Sequence, residues 1–138
     1  MIPNLSRYLD RLYATIHSRH EVLVEEFELF DQSAVAGRTS ELFMRLRFWD
    51  ESLLQVEEAL VVQALTIIKT RYSYHYQRAD GTLVFRYDNA PHYPDLPGFP
   101  EHKHIGEQVL SAPAPDLSQV LTETDEYLYP DTVADQEA

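Results

Sequence analysis

YSYHYQRADGTLVFRYD, residues 72–88, decides the fold. Asp80-Gly81 flanked by aromatic and β-branched residues is a strong hairpin signal, because a type I′ turn needs positive φ at both central residues. Counting outward from those two sets Ala79 opposite Thr82, Tyr76 opposite Phe85, His75 opposite Arg86, Tyr74 opposite Tyr87 and Ser73 opposite Asp88. Side chains alternate along a strand, so the hairpin has two chemically different faces. Tyr72, Tyr74, Tyr76, Phe85 and Tyr87 share one. Ser73, His75, Gln77, Arg86 and Asp88 share the other, with Val84 as its only apolar member. A one-residue slip, or a three-residue loop with a bulge, would scramble this arrangement.

Upstream, the period of two continues. VLVEEFELF (22–30) and ELFMRLRFW (41–49) read as strands, with the loop-like DQSAVAGRTS (31–40) between them. Asp50-Glu51 makes a tight turn into SLLQVEEALV (52–61), a third strand whose apolar positions also fit a helix. LTIIKTRYSYHYQ (65–77) is the fourth and TLVFRYD (82–88) the fifth. Before them, Leu5, Tyr8, Leu9, Leu12 and Ile16 fall at helical spacing, with Asn4 or Ser6 as N-cap and an end near His17.

Downstream, APHYPDLPGFPEHKH (90–104) carries Pro91, Pro94, Pro97 and Pro100 and reads as irregular, neither helix nor central strand. A second amphipathic helix starts near Asp116, behind Pro115, with Leu117, Val120, Leu121 and Leu128 on one side. The expectation is an α+β fold: an N-terminal helix, a curved antiparallel meander of about five strands and a C-terminal helix, the helices on one sheet face. Residues 1–128 form the domain and 129–138 an acidic frayed tail. The other sheet face is either solvated or a binding surface.

A chain of 138 residues with 44% hydrophobic and 25% charged residues suits one globular domain. The absence of cysteine excludes disulfides, zinc–thiolate sites and thiol catalysis and fits a reducing cytoplasm. MIPNLSRYLDRLYATIHSRH lacks a signal peptide's apolar core, and no run approaches the roughly 18 apolar residues of a membrane span. The expected setting is cytoplasmic, away from membranes.

The net charge of −12 opposes binding to a polyanion, but it is unevenly spread. From Glu107 onward stand Glu107, Asp116, Glu123, Asp125, Glu126, Asp131, Asp135 and Glu137 with no Lys or Arg, a charge of −8. Between Arg71 and His104, four bases (Arg71, Arg78, Arg86, Lys103) balance four acids (Asp80, Asp88, Asp95, Glu101), and four histidines are added.

Those histidines carry the candidate chemistry. His75 and Arg86, as cross-strand neighbours, can grip an anion such as phosphate together, although a solvated polar pair would look the same. Asp88, Asn89 and His92 follow at once, and His102, Lys103 and His104 return after the proline-rich loop. Such a cluster suits metal-independent RNA cleavage: a base takes the ribose 2′-hydroxyl proton and cations stabilise the phosphorane. The catalytic candidates are His75, Arg86, His102, Lys103 and His104. Asp88, Asn89 and His92 are candidates for substrate binding, as are Tyr74, Tyr76 and Tyr87 as base-stacking platforms, though aromatics on one strand face are more often core. No cofactor is expected. A metal-dependent nuclease or hydrolase using His92, His102 and His104 is an alternative, and a non-catalytic protein-binding module another. Glycine-rich phosphate loops, G-x-S-x-G and H-E-x-x-H are all missing. Glu25, Glu26, Glu28, Glu57 and Glu58 read as solvated strand-edge acids.

Tyr72-Ser73-Tyr74-His75-Tyr76, then Phe85-Arg86-Tyr87-Asp88-Asn89-Ala90-Pro91-His92, then Phe99-Pro100-Glu101-His102-Lys103-His104 lie within about a quarter of the 138 residues. Together they resemble the signature of the TumE-like family, small toxins of toxin–antitoxin pairs. The resemblance implies a growth-inhibiting protein with a cognate DNA-binding antitoxin as partner; RNA as substrate is an inference from the residues. Glu101 stands where the family pattern frequently has a further histidine, and the acidic balance departs from the basic surfaces of RNA-attacking toxins. An acidic tail laid over the cationic site would reconcile the two, and its deletion from about Tyr129 would then raise toxicity. The exposed sheet edge is a candidate homodimer surface.

Overall fold

The computed structural model describes residues 3–19 and 21–130. Helix α1 (Pro3–His17) leads into strands β1 (Leu23–Phe30), β2 (Thr39–Arg47), β3 (Leu53–Gln63), β4 (Thr66–Gln77), β5 (Leu83–Asp88), β6 (His102–Ile105) and β7 (Gln108–Ser111), and helix α2 (Leu117–Leu128) follows. The strands form one open antiparallel sheet in sequence order, β1 to β7. There are seven strands rather than about five. The two extra ones are only four residues each, too short for a periodic signal, and β6 begins two residues after the last proline of the loop. His102, Lys103 and His104, expected to be irregular, therefore lie in an interior strand between β5 and β7.

The β4–β5 register is the one counted from the sequence for Ser73–Asp88, Tyr74–Tyr87, His75–Arg86 and Tyr76–Phe85. The turn is not the one it was counted from. Arg78 N donates to Thr82 O and Gly81 N to Arg78 O, each at 2.9 Å, so Ala79, Asp80 and Gly81 form a three-residue loop. Only Gly81 has positive φ, +90°, while the Asp80 carboxylate accepts from Thr82 N at 2.9 Å. That loop alone would displace the register. A bulge compensates: Gln77 pairs with Leu83 but Tyr76 with Phe85, which makes Val84 the extra residue. Val84, expected on the polar face, is instead buried in the core, because the bulge interrupts alternation. The β2–β3 turn repeats the device, with Phe48 N bonded to Ser52 O and Glu51 at φ +68°. Its loop thus also spans three residues, not an Asp50-Glu51 pair.

Alternate residues of the central strands make the core: Leu42, Met44 and Leu46, then Leu54 and Val56, then Tyr72, Tyr74 and Tyr76, then Phe85. Both helices bury their apolar stripes in this cluster, α1 through Ile16 with Leu9 and Leu12, α2 through Leu117, Val120, Leu121 and Leu128. Each such burial contributes on the order of 2 kcal/mol. Asp116 caps α2 in a capping box with Gln119, as the sequence implies. Asn4 and Ser6 lie inside α1 and are not its cap, since Pro3 already has helical geometry and needs no N–H partner there.

Glu58 departs from the expected solvated edge acids. The register sets it opposite Leu42 and Tyr72 on the helix-covered face, where it is 3% exposed. Its carboxylate accepts from the hydroxyls of Tyr8 and Tyr74, and Lys69 Nζ, 3.9 Å away, also donates to Pro115 O at 2.7 Å. This knot ties α1 and the approach to α2 onto the sheet. Burial and the adjoining carboxylate push both tyrosine hydroxyls up from their ordinary pKa, and burial pushes Lys69 down. No helix among the described residues is long and apolar enough to cross a membrane. The acidic tail lies, from Asp131 on, outside the described residues.

Candidate functional site

On the sheet face opposite the helices, two rows of residues cross β4, β5 and β6. The first is His75, Arg86 and His104; the second is Ser73, Asp88 and His102. Their centre is Asp88, 5% exposed. Its Oδ1 accepts from Ala90 N at 3.0 Å and lies 2.9 Å from His102 Nε2; its Oδ2 accepts from Arg86 Nε at 2.9 Å and lies 3.6 Å from His104 Nε2.

His102 is 2% exposed and its Nδ1 donates to Pro100 O at 2.8 Å. A carbonyl only accepts, so this nitrogen carries a proton. The Tyr93 ring, from the proline-rich loop, packs edge-on against both imidazoles, 5.0 Å from His102 and 5.8 Å from His104. His104 retains 23% side-chain exposure and Arg86 38%, which leaves them reachable from solvent. Burial pushes the His104 pKa below its ordinary value, against an opposing pull from Asp88, with His102 and Arg86 adding to the fall.

His75 closes the row. Its Nε2 donates to Gln77 Oε1 at 3.1 Å, which leaves the Nδ1 lone pair to accept from Arg86 Nη1 at 3.3 Å. Burial first, then the adjacent guanidinium, lowers its pKa, while Gln77 opposes. Both imidazoles flanking Arg86 are thus held below the ordinary histidine pKa. Neighbouring strands lie about 4.8 Å apart, so an anion seated on Arg86 has one imidazole on each flank.

The structure brings together His75, Arg86, Asp88, His102 and His104, and separates the other candidates from them. Lys103 sits between the two ligand-like histidines in sequence but, by alternation, points through the sheet. There Nζ pairs with Glu123 Oε2 of α2 at 2.6 Å and lies 4.8 Å from the Tyr87 ring centre. Burial would lower its pKa, but Glu123 and Tyr87 together raise it. Tyr74 and Tyr76 are fully buried beneath the helices, and Tyr87 donates to Glu123, so none offers a face for stacking bases. Asn89 is structural: it accepts from Tyr72 N at 3.1 Å and donates to Thr70 O at 3.0 Å, closing the end of the β4–β5 ladder. His92 is exposed and lies outside the group of potential metal donors, which consists of Asp88, His102 and His104 among the described residues. Glu101, expected to depart from a frequent histidine of the family pattern, accepts from the Tyr72 hydroxyl on the helix-covered side. That departure leaves the cluster intact. Tyr93 was not legible as a site residue, since nothing in the loop's composition sets it over β6.

A family model for the toxin TumE matches residues 11–128, and so spans α1 from its middle, the whole sheet and α2. The chain belongs to the TumE toxin family. The match includes every residue of the cluster, from His75 to His104. No curated protein and no solved structure matches the chain. TumE membership suggests a toxin of a toxin–antitoxin system, which in general has an antitoxin partner.

Proposed function

We propose that this TumE-family toxin inhibits growth by breaking RNA phosphodiester bonds on the β4–β6 face. The observation that carries the reading is the row His75, Arg86, His104: a guanidinium held by a buried carboxylate, with an imidazole on each side and solvent in front. RNA contains its own nucleophile, so cleavage needs only a phosphate clamp and groups that move protons. Arg86 is the clamp. When a phosphate draws Nη1 away, the freed Nδ1 of His75 accepts the 2′-hydroxyl proton as the 2′-oxygen bonds to phosphorus. The departing 5′-oxygen takes its proton from the imidazolium form of His104, the form that the Asp88 carboxylate 3.6 Å away favours, so cleavage runs through molecules in which His75 is neutral and His104 protonated. Asp88 and the buried His102 act as positioning residues that hold Arg86 and the β5–β6 face in place.

Lys103 has no part in this scheme, because it is engaged with Glu123 across the sheet. A cytoplasmic site of action and a DNA-binding antitoxin belong to the same proposal and follow from the family reading. The test is induced expression of wild type beside His75→Ala and His104→Ala, with growth and total RNA integrity scored together. Wild type should arrest growth and fragment RNA, and both variants should lose these effects at equal protein levels. Arrest with intact RNA under strong wild-type expression would remove the ribonuclease reading.

A further inference from the structure

We propose that Asp88, His102 and His104 form a binding site for one divalent transition-metal ion of the zinc type. One ligand atom from each residue lies within 4.8 Å of the others. Strand geometry builds this: His102 and His104 are alternate residues of β6 on one face, and Asp88 is the cross-strand partner of His102. Tetrahedral ligands at about 2.0–2.1 Å from zinc stand about 3.3 Å apart, so the solvent-reachable His104 needs only to swing inward. Two imidazoles and a carboxylate suit zinc, cobalt or iron(II) better than the oxygen-seeking calcium or magnesium.

A second observation comes from the two ring nitrogens of His102. Pro100 O, 2.8 Å from Nδ1, can only accept, and Asp88 Oδ1 lies 2.9 Å from Nε2. A neutral imidazole has one N–H and cannot serve both. With Nδ1–H given to Pro100 O, the buried ring of a neutral His102 directs its Nε2 lone pair into the space between Asp88 and His104, where a cation would take it. A histidine whose Nδ1–H is fixed by a backbone carbonyl is the usual arrangement around a metal-bound Nε2. Asp88 is likewise braced, by Ala90 N at 3.0 Å and Arg86 Nε at 2.9 Å. The Arg86 charge weakens attraction for a cation and keeps the fourth position beside a phosphate clamp. An ion there takes Nε2 of His104 out of proton transfer and stands where it would polarise the same phosphate. The ion's binding does not rest on the RNA reading.

The test uses the full chain, stripped with chelator and titrated with Zn2+ by calorimetry and with Co2+ by visible absorption, without RNA. One ion per chain is expected. Affinity should fall at least roughly 100-fold in His104→Ala and in Asp88→Asn, and stay unchanged in His92→Ala and His75→Ala. Far-UV circular dichroism of His104→Ala, a partly exposed position, separates loss of ligand from loss of fold. Absence of stoichiometric binding, unchanged binding in folded His104→Ala, or dependence on His92 would each overturn the site. Metal binding without RNA cleavage in the expression test would sink only the ribonuclease reading.

Discussion

His75 is the residue on which the proposed chemistry is most exposed to test, because its state is set by two neighbours on adjoining positions. Gln77 holds Nε2–H and Arg86 meets Nδ1, while Gln55 is the cross-strand neighbour on β3. Burial and the guanidinium push its pKa below the ordinary 6.5. The unfolded chain therefore binds this proton first as pH falls. The stability contribution of neutral His75 is fully present above about pH 6.5 and is lost progressively as pH drops toward the folded-state pKa. His75→Gln should flatten that part of the stability-versus-pH curve below about pH 6.5, measured by urea unfolding, and leave it unchanged near pH 8. An equally steep acid limb in the variant would show that His75 is not held neutral. At this scale, residue type singles out His75, Arg86, Asp88, His102 and His104, which the fold brings together on one face, and Lys103, which it does not. A lysine between two histidines looks like part of the cluster, but period-two alternation sends it through the sheet to Glu123.

At the scale of elements, the hairpin pairs the right residues from the wrong turn. Counting two residues at the tip and no bulge at Val84 are errors of opposite sense, so the three-residue loop with a bulge, expected to scramble the pairing, leaves it intact and His75 still meets Arg86. Hydrophobic alternation is strong enough to anchor strand centres, but it carries no record of where one extra residue is inserted. Strands β6 and β7 were illegible for another reason: four residues span too few alternations, and their stability comes from pairing with β5 rather than from propensity. The turn itself can be tested at Gly81. Its φ of +90° is strained for any side chain, although an added Cβ would meet nothing within 4 Å. Gly81→Ala should therefore cost about 1 kcal/mol in urea unfolding, purely from backbone conformation, and Gly81→Asn less. Both should keep the wild-type effect on RNA, since the compensating bulge lies between the turn and the site. A neutral Gly81→Ala would mean that the tip takes another conformation.

At the scale of the molecule, charge decides how an RNA could be held. The net charge is −12, and the cations beside the site on its own face are already committed: Arg45 to Glu26, Arg47 to Glu25 and Arg71 to Glu41. Glu57, the cross-strand neighbour of Ser73, and Glu28 on β1 add further negative charge to that face. A substrate strand thus meets Arg86 and the imidazoles but no basic track leading away from them. Each phosphate neutralised on a single strand contributes roughly −0.7 to the slope of log affinity against log salt. One or two such contacts give a slope of about −1, far shallower than a nucleic-acid binder with a cationic groove would show. Fluorescence anisotropy with a short RNA carrying a 2′-deoxy sugar at the scissile position, between 50 and 200 mM salt, measures this, and Arg86→Gln should bring the slope close to zero. A slope steeper than about −3 would require cations outside the β4–β6 cluster to hold the substrate, and would move the binding surface away from the face on which His75 and His104 stand.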